Sequence, residues 1–260
     1  MSSRKTAIVT GSTAGLGLAT AEALARASHD VVLHGLMGQE EGERIAQDLA
    51  SRFGVSAHYV QADLASPEGV ASMIEAAVAR AGAIDILVNN AVTRNFAHVE
   101  ELAAEDWERA LSVNLSAPFH AIRLVLPGMR QRGFGRIVNY ASIYSFRAAA
   151  RRVDYVTAKT AILGLTRTVA LEVAGTDISC NAICPGTLPT PDIEARIARI
   201  AAEEGKDVET ATREYLSARQ PSGRFISLAA VTDLVVFLCR PGMADINGAA
   251  IPVDAGWAAA

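Results

Sequence analysis

The feature that constrains this chain most is a regular alternation of short apolar runs with longer amphipathic stretches. The runs fall at 6–10, 31–34, 57–60, 84–89, 136–141, 178–184 and 249–253. Several are almost wholly apolar, as strands covered on both faces of a parallel sheet must be. Between them lie patterns of helical period at 17–26, 41–53, 68–81, 104–130, 154–174 and 228–240. Strand and helix in strict succession predict an α/β fold with a Rossmann-type, doubly wound parallel sheet. There is no low-complexity linker and no internal repeat, so the expectation is a single domain over 1–260. One segment, about 187–225, is too long for a simple crossover. It carries helical patterns at 192–204 and 208–216, and its place after a strand's C-terminal end predicts a helical lid.

Composition narrows the function. Half of the 260 residues are apolar, enough for a large core. A net charge of -4 argues against a nucleic-acid or anionic-membrane partner. The three cysteines, Cys180, Cys184 and Cys239, are too few for a disulfide framework and suggest a reducing compartment. Their spacing, without histidine partners, predicts no metal site. No apolar stretch reaches membrane-spanning length, and the run 7–9 is too short for a secretory signal. A cytoplasmic protein is expected.

The first run ends in Thr10-Gly11-Ser12-Thr13-Ala14-Gly15-Leu16-Gly17, and a helix opens directly after it. Glycines there allow a tight turn and let backbone N–H groups approach a pyrophosphate at the positive end of the helix dipole. After a first strand, this spacing points to a dinucleotide site. Cofactor choice is read at the end of the second strand, where an acidic residue would bind a ribose 2′-hydroxyl and an arginine a 2′-phosphate. The chain has His34-Gly35-Leu36-Met37-Gly38 and so neither. With no cation for a 2′-phosphate, NAD is expected in preference to NADP, and His34 is read as a neutral residue at a strand end.

Tyr155 and Lys159 are four residues apart in a helical pattern and so share a helix face. A free tyrosine is a poor base at neutral pH, but a nearby ammonium favours the phenolate. Ser142 follows the strand 136–141, where it could hydrogen-bond a substrate oxygen. Asn114 lies in an earlier helix, where it could anchor a water relaying protons to Lys159.

On the motifs Thr10 to Gly17, Asp63-Leu64, Asn89-Asn90-Ala91, Asn114, Ser142, Tyr155 with Lys159, and Pro185-Gly186, the chain resembles the short-chain dehydrogenase/reductase family along essentially its whole length. The resemblance implies that Gly11, Thr13, Gly15, Leu16, Gly17, Leu36 and Tyr155 hold the cofactor, that Asp63 and Leu64 flank the adenine, and that Asn90 lies along the cofactor. It also implies that Lys159 holds the nicotinamide ribose, that Pro185-Gly186 meets the carboxamide side, and that the protein is a homotetramer. Val92 stands where the family usually has glycine, which puts the local backbone geometry in question.

Within the family the chain is most similar to the bacterial D-3-hydroxybutyrate dehydrogenases, an NAD-dependent branch. The substrate positions depart. Arg94, Tyr144, Arg152, Thr187 and Arg196 replace the glutamine, histidine, lysine, tryptophan and glutamine that hold a small carboxylate in that branch, while Trp257 is kept. Arginine is the fork-shaped ligand of carboxylate and phosphate. The expected substrate is therefore a small anionic molecule, a hydroxy acid or a larger analogue. Two alternatives are an NADP-dependent carbonyl reductase acting on an acyl, sugar or cyclic substrate, and a nucleotide-binding regulator on the same fold. The intact Asn114, Ser142, Tyr155 and Lys159 weigh against the regulator.

Overall fold

The computed structural model describes residues 4–259, with only the backbone of Asp192. In chain order the elements are β1 (Thr6–Val9), α1 (Gly15–Arg26), β2 (Asp30–Gly35), α2 (Gln39–Phe53), β3 (Ala57–Gln61), α3 (Pro67–Ala81), β4 (Ile86–Asn89), α4 (Ala104–Leu111), a π-helical turn (Ser112–Ser116), α5 (Ala117–Arg132), β5 (Gly135–Tyr140), α6 (Val153–Glu172), β6 (Ile178–Pro185), α7 (Pro191–Glu204), α8 (Val208–Ser217), α9 (Leu228–Leu238) and β7 (Ala250–Val253). The strands form one parallel sheet in the order β3-β2-β1-β4-β5-β6-β7. The order reverses between β1 and β4, and the crevice beyond the strand ends there is where this topology binds ligands.

Both faces of the sheet are covered. Leu24, Leu49 and Val235 of α1, α2 and α9 pack on one face, and Met73, Val125 and Val169 of α3, α5 and α6 on the other. This explains the nearly unbroken apolar strands. β1, β4, β5 and β6 are buried at every residue. Local chemistry sets the helix starts as well. Ser66 caps α3 by accepting from the Gly69 amide at 3.1 Å, with Pro67 pre-set in the first turn.

The long helix expected over 104–130 is corrected: it is two helices separated by a π turn. There the Ala117 N–H reaches back five residues to the Ser112 carbonyl. Pro118, in the first turn of α5, has no N–H to return to the carbonyl of Asn114 four residues earlier. The helical ladder therefore loosens at Asn114, a common device where a helix borders a site.

Candidate active site

The dinucleotide end is built from the loops after β1, β2 and β4. Gly11 takes a left-handed backbone (φ 62°), and a Cβ on it would lie 2.9 Å from the Ala91 Cα. A Cβ on Gly17 would lie 2.2 Å from the Gly11 carbonyl oxygen and 2.5 Å from Asn90 Nδ2. Only glycine lets α1 approach the loop this closely. Asn90 ties the loop down: its Nδ2 donates to the carbonyls of Thr10 (2.9 Å) and Gly11 (2.8 Å). Thr10 Oγ1 in turn accepts from the amides of Asn90 and Ala91. At the mouth, Gly15 faces open space, and no side chain caps the first turn of α1. Free helix N-terminal amides beside an open glycine fit a dinucleotide pyrophosphate.

Gly35 closes the β2 end. A Cβ there would meet Thr13 Cγ2 at 2.8 Å, so Thr13 fills the space an acidic side chain would need. Leu36 beside it is exposed. Leu64 is buried, while Asp63 is paired with Arg109 of α4, with nitrogen–oxygen distances of 3.3–3.4 Å. Sequence reasoning missed Arg109. It also missed the role of His34, which is neutral as expected but takes part in the loop. Burial pushes its pKa down to about 4 against the opposing effects of its bond to Ala62 and of Asp63. Val92 does not lie in the left-handed region, so its backbone has no need of the family's usual glycine.

The structure brings Asn114, Ser142, Tyr155 and Lys159 together at the ends of β4 and β5. Lys159 Nζ donates to the Tyr140 carbonyl at 2.5 Å and lies 5.8 Å from the centre of the Tyr155 ring. All four residues are buried. A buried chain from Asn89 to Asn139 (2.8 Å) and on to Thr166 Oγ1 (2.9 Å) joins β4, β5 and α6 behind them. Ser142 starts a short 3₁₀ turn, where its Oγ accepts from the Tyr144 amide at 3.2 Å. Ser145, also missed, accepts from the Ser142 amide and donates to the Lys159 carbonyl, linking the two segments. The Asn114 side chain is committed to the loop after β4: its Oδ1 accepts from the Thr93 amide and its Nδ2 donates to the Thr93 carbonyl, both at 2.9 Å. What it could offer a water is the carbonyl that Pro118 leaves without its helical donor.

Electrostatics prepare Tyr155. Burial opposes ionisation, but Lys159, Arg94, the Ser142 hydroxyl and Arg152 outweigh it, and the phenol is held below its ordinary pKa. Burial likewise lowers the Lys159 pKa, with Tyr155 opposing and Arg94 assisting.

Around this centre the substrate positions also converge. Arg94 lies 5.6 Å and Arg152 4.6 Å from the Tyr155 ring centre. Arg152 and Arg196 of α7 both lie over the ring of Phe96, at 4.2 and 4.3 Å. Arg152 is only 9% exposed, and its Nε has no partner among the described residues. Phe96, which sequence reasoning passed over, is thus the platform shared by two guanidinium groups. Tyr144 stands edge-on to both Tyr155 and Trp257, with ring centres 6.3 and 5.7 Å apart. Thr187 sits at the end of β6 beyond Pro185-Gly186, its amide held by the fully buried Gln220 at 2.7 Å. Arg147 and Arg151 are exposed.

A sheet that reverses order over a glycine loop, with a buried tyrosine and lysine beside it, defines a nucleotide-dependent oxidoreductase class. Residues 5–199 match the family described as short chain dehydrogenase, and the chain belongs to that family. It is therefore an oxidoreductase acting on hydroxyl groups with a nicotinamide cofactor. It is 38% identical to a D-beta-hydroxybutyrate dehydrogenase of Rhizobium meliloti, over 98% of this chain and 99% of that one. It is 35% identical to a 2-(R)-hydroxypropyl-CoM dehydrogenase of Xanthobacter autotrophicus, over 98% and 99%. Among solved structures it is similar to L-sorbose reductase of Gluconobacter frateurii in complex with NADPH and L-sorbose. That match has a TM-score of 0.94 and 32% identity, and covers 99% of this chain and 98% of the other. Among the described residues no helix is long and apolar enough to cross a membrane, and no group of histidine, cysteine or acidic residues could hold a metal ion.

Proposed function

We propose that this chain is an NAD-dependent oxidoreductase for a secondary alcohol or ketone that carries an anionic group, a hydroxy acid of the 3-hydroxybutyrate type or a larger anionic analogue. The observation that carries this reading is the gathering of Arg94, Arg152 and Arg196 around Phe96 and the Tyr155 ring. A buried arginine whose Nε is unpartnered among the described residues bears an unmet demand for an acceptor, which a carboxylate would meet.

Oxidised nicotinamide supplies the hydride acceptor when bound. Tyr155 takes the hydroxyl proton on its phenolate oxygen while Ser142 Oγ orients the same substrate oxygen. Lys159 favours the phenolate and passes the proton on to a water held at the Asn114 carbonyl. Gly11, Thr13, Gly15, Leu16 and Gly17 form the phosphate cradle; Leu36, Asp63, Leu64 and Asn90 line the adenosine side, and Pro185 and Gly186 the nicotinamide side. Tyr144, Thr187 and Trp257 shape the substrate wall. Helices α7 and α8 act as its lid, since Arg196 reaches the Phe96 platform from α7. NAD is preferred because the β2 end offers Gly35 and Leu36, with no cation for a 2′-phosphate. Subunits pair into a homotetramer; exposed Phe119 on α5 and Leu171 on α6 support such contacts.

A second reading, NADP-dependent reduction of a sugar or acyl ketone, is favoured by the NADPH complex of the similar L-sorbose reductase. The two separate in one assay: the ultraviolet absorbance of the reduced nicotinamide, followed with NAD and NADP over a substrate panel. The panel holds D-3-hydroxybutyrate, bulkier and doubly charged hydroxy acids, 2-(R)-hydroxypropyl-CoM, L-sorbose and neutral secondary alcohols. Anionic alcohols with NAD should give the highest kcat/KM. Best turnover of neutral polyols with NADP would replace this reading with the second.

A further inference from the structure

His34 makes three hydrogen bonds to the glycine loop, as many as Asn90. Its backbone N–H donates to Ser12 Oγ at 3.0 Å, and its carbonyl accepts from the Ser12 amide at 2.8 Å. Ser12 Oγ in turn donates to the Val9 carbonyl at 2.7 Å. The imidazole then bridges two further segments: Nδ1 lies 3.0 Å from the Gly11 amide and Nε2 3.1 Å from the Ala62 carbonyl. One residue of β2 thereby fastens the loop after β1 to the end of β3.

The partners fix the proton. An amide N–H can only donate, so Nδ1 must accept; a carbonyl can only accept, so Nε2 must carry the hydrogen. The ring is neutral and in a single tautomer. Among the described residues the charged group acting on it is Asp63, whose own carboxylate is paired with Arg109.

We infer that His34 is a positioning residue for the dinucleotide phosphates, holding Gly11 in its left-handed turn through Nδ1 so that the amides beyond it face the ligand. The inference rests on the reading of residues 10–17 as the phosphate cradle. Gly11 is the pivot of that loop: its φ is 62°, and its amide points back at β2 rather than outward. Without the Nδ1 acceptor, that part-buried amide must seek another partner, and rotation about Gly11 carries the rest of the loop with it. Preorganised amides bind better than amides that must be reordered on binding.

Two variants dissect the ring. The Oδ1 of His34→Asn falls where Nδ1 was and keeps the Gly11 acceptor. His34→Gln reaches the Nε2 position and keeps only the contact with Ala62. Affinity for NAD, NADH and NADP is read by calorimetry on the full chain, alongside thermal unfolding, KM for the alcohol and kcat at saturating cofactor. Imidazole nitrogen NMR of the unmodified protein reports the tautomer directly. The expected result is cofactor affinity within about threefold of the parent for His34→Asn and weaker by about tenfold or more for His34→Gln, the scale of one buried hydrogen bond. The KM for the alcohol and kcat at saturating cofactor should hold in both, and NMR should show a protonated Nε2. Equal affinities in the two variants, or a protonated Nδ1, would overturn the inference. Failure of the parent to bind any of the three dinucleotides would overturn the cradle reading with it, whereas tight parental binding with an unaffected His34→Gln removes only the role of His34.

Discussion

Replacing Arg152 by methionine separates stability from function. The guanidinium is 9% exposed and lies over three aromatic rings, at 4.2 Å from the centre of Phe96, 4.6 Å from Tyr155 and 6.0 Å from Tyr144. Those contacts are favourable by about 0.5–2 kcal/mol each. Against them stands the burial of a cation, which costs several kcal/mol and is offset only in part by Asp154, while the Nε has no partner among the described residues. Burial lowers the Arg152 pKa despite Tyr155, which is the mark of that penalty. The opposing effects are of similar size, so Arg152→Met should leave unfolding free energy within about 1 kcal/mol of the parent. Catalysis should respond differently. Loss of a charge-assisted bond to a substrate carboxylate is worth about 1.5–3 kcal/mol, or roughly 10- to 150-fold in kcat/KM, read mainly in KM. Neutral alcohols should lose far less. The variant also removes one of the cations that hold Tyr155 low, so the alkaline-rising limb of kcat for oxidation should move to higher pH. Arg94→Met should move it further, because Arg94 acts on Tyr155 more strongly than Arg152 does. Steady-state kinetics on an anionic and a neutral alcohol, with urea unfolding of each variant, test all of this. A folded Arg152→Met with unchanged KM for anionic alcohols would refute the proposed anion site.

Three further outcomes are expected. Leu36→Arg should raise the NADP-to-NAD ratio of kcat/KM by about tenfold or more by supplying the missing phosphate ligand, whereas Gly35→Asp should impair both cofactors because its Cβ would meet Thr13; initial rates with each cofactor decide. The depressed His34 pKa makes the fold bind fewer protons than the unfolded chain, so its contribution is fully present above the ordinary histidine value of 6.5 and is lost as pH falls through about 4. That contribution is roughly 3 kcal/mol, and urea unfolding from pH 7 to 4.5 should show a flatter acid slope in His34→Asn. Gln220→Leu strips the acceptor from the Thr187 amide and the donor from the Arg224 carbonyl; calorimetry should show a loss of about 1–3 kcal/mol, with a raised KM for the alcohol.

Elements with one dominant local cause were legible in the sequence. The central strands β1, β4, β5 and β6 announce themselves because both faces of a buried parallel strand are apolar, and the Tyr155–Lys159 spacing places two side chains on one helix face whatever lies around them. The π turn was not legible. Inserting one residue into the 27-residue amphipathic pattern over 104–130 barely changes its period, although Pro118 marks the carbonyl four residues back to which it cannot donate. The His34 bridge and the Asn114–Thr93 pair join residues 21 to 28 positions apart. No periodicity encodes such bonds, although a histidine inside an apolar strand is a prompt to ask what it bonds.

The parts differ in rigidity for a reason that bears on specificity. Ser142, Tyr155 and Lys159 sit at the end of β5 and on α6, braced by the Asn89–Asn139–Thr166 chain in the core, where a displaced side chain would orphan a buried amide. Phe96 and its arginines come from three separate segments: the loop after β4, the turn before α6, and α7. They meet over an aromatic ring, an interaction that tolerates sliding as hydrogen bonds do not. Substitutions in these segments can therefore reshape the anion pocket while Ser142, Tyr155 and Lys159 keep their places. The resemblance implies that residues 94, 144, 152, 187 and 196 depart from the hydroxybutyrate branch while Ser142, Tyr155 and Lys159 keep the family's motif. The same division predicts that exchanging those five residues for the branch's own would change which alcohol is preferred, while loss of the Arg94 charge moves the alkaline-rising limb of kcat to higher pH and Lys159 keeps the largest lowering effect on Tyr155.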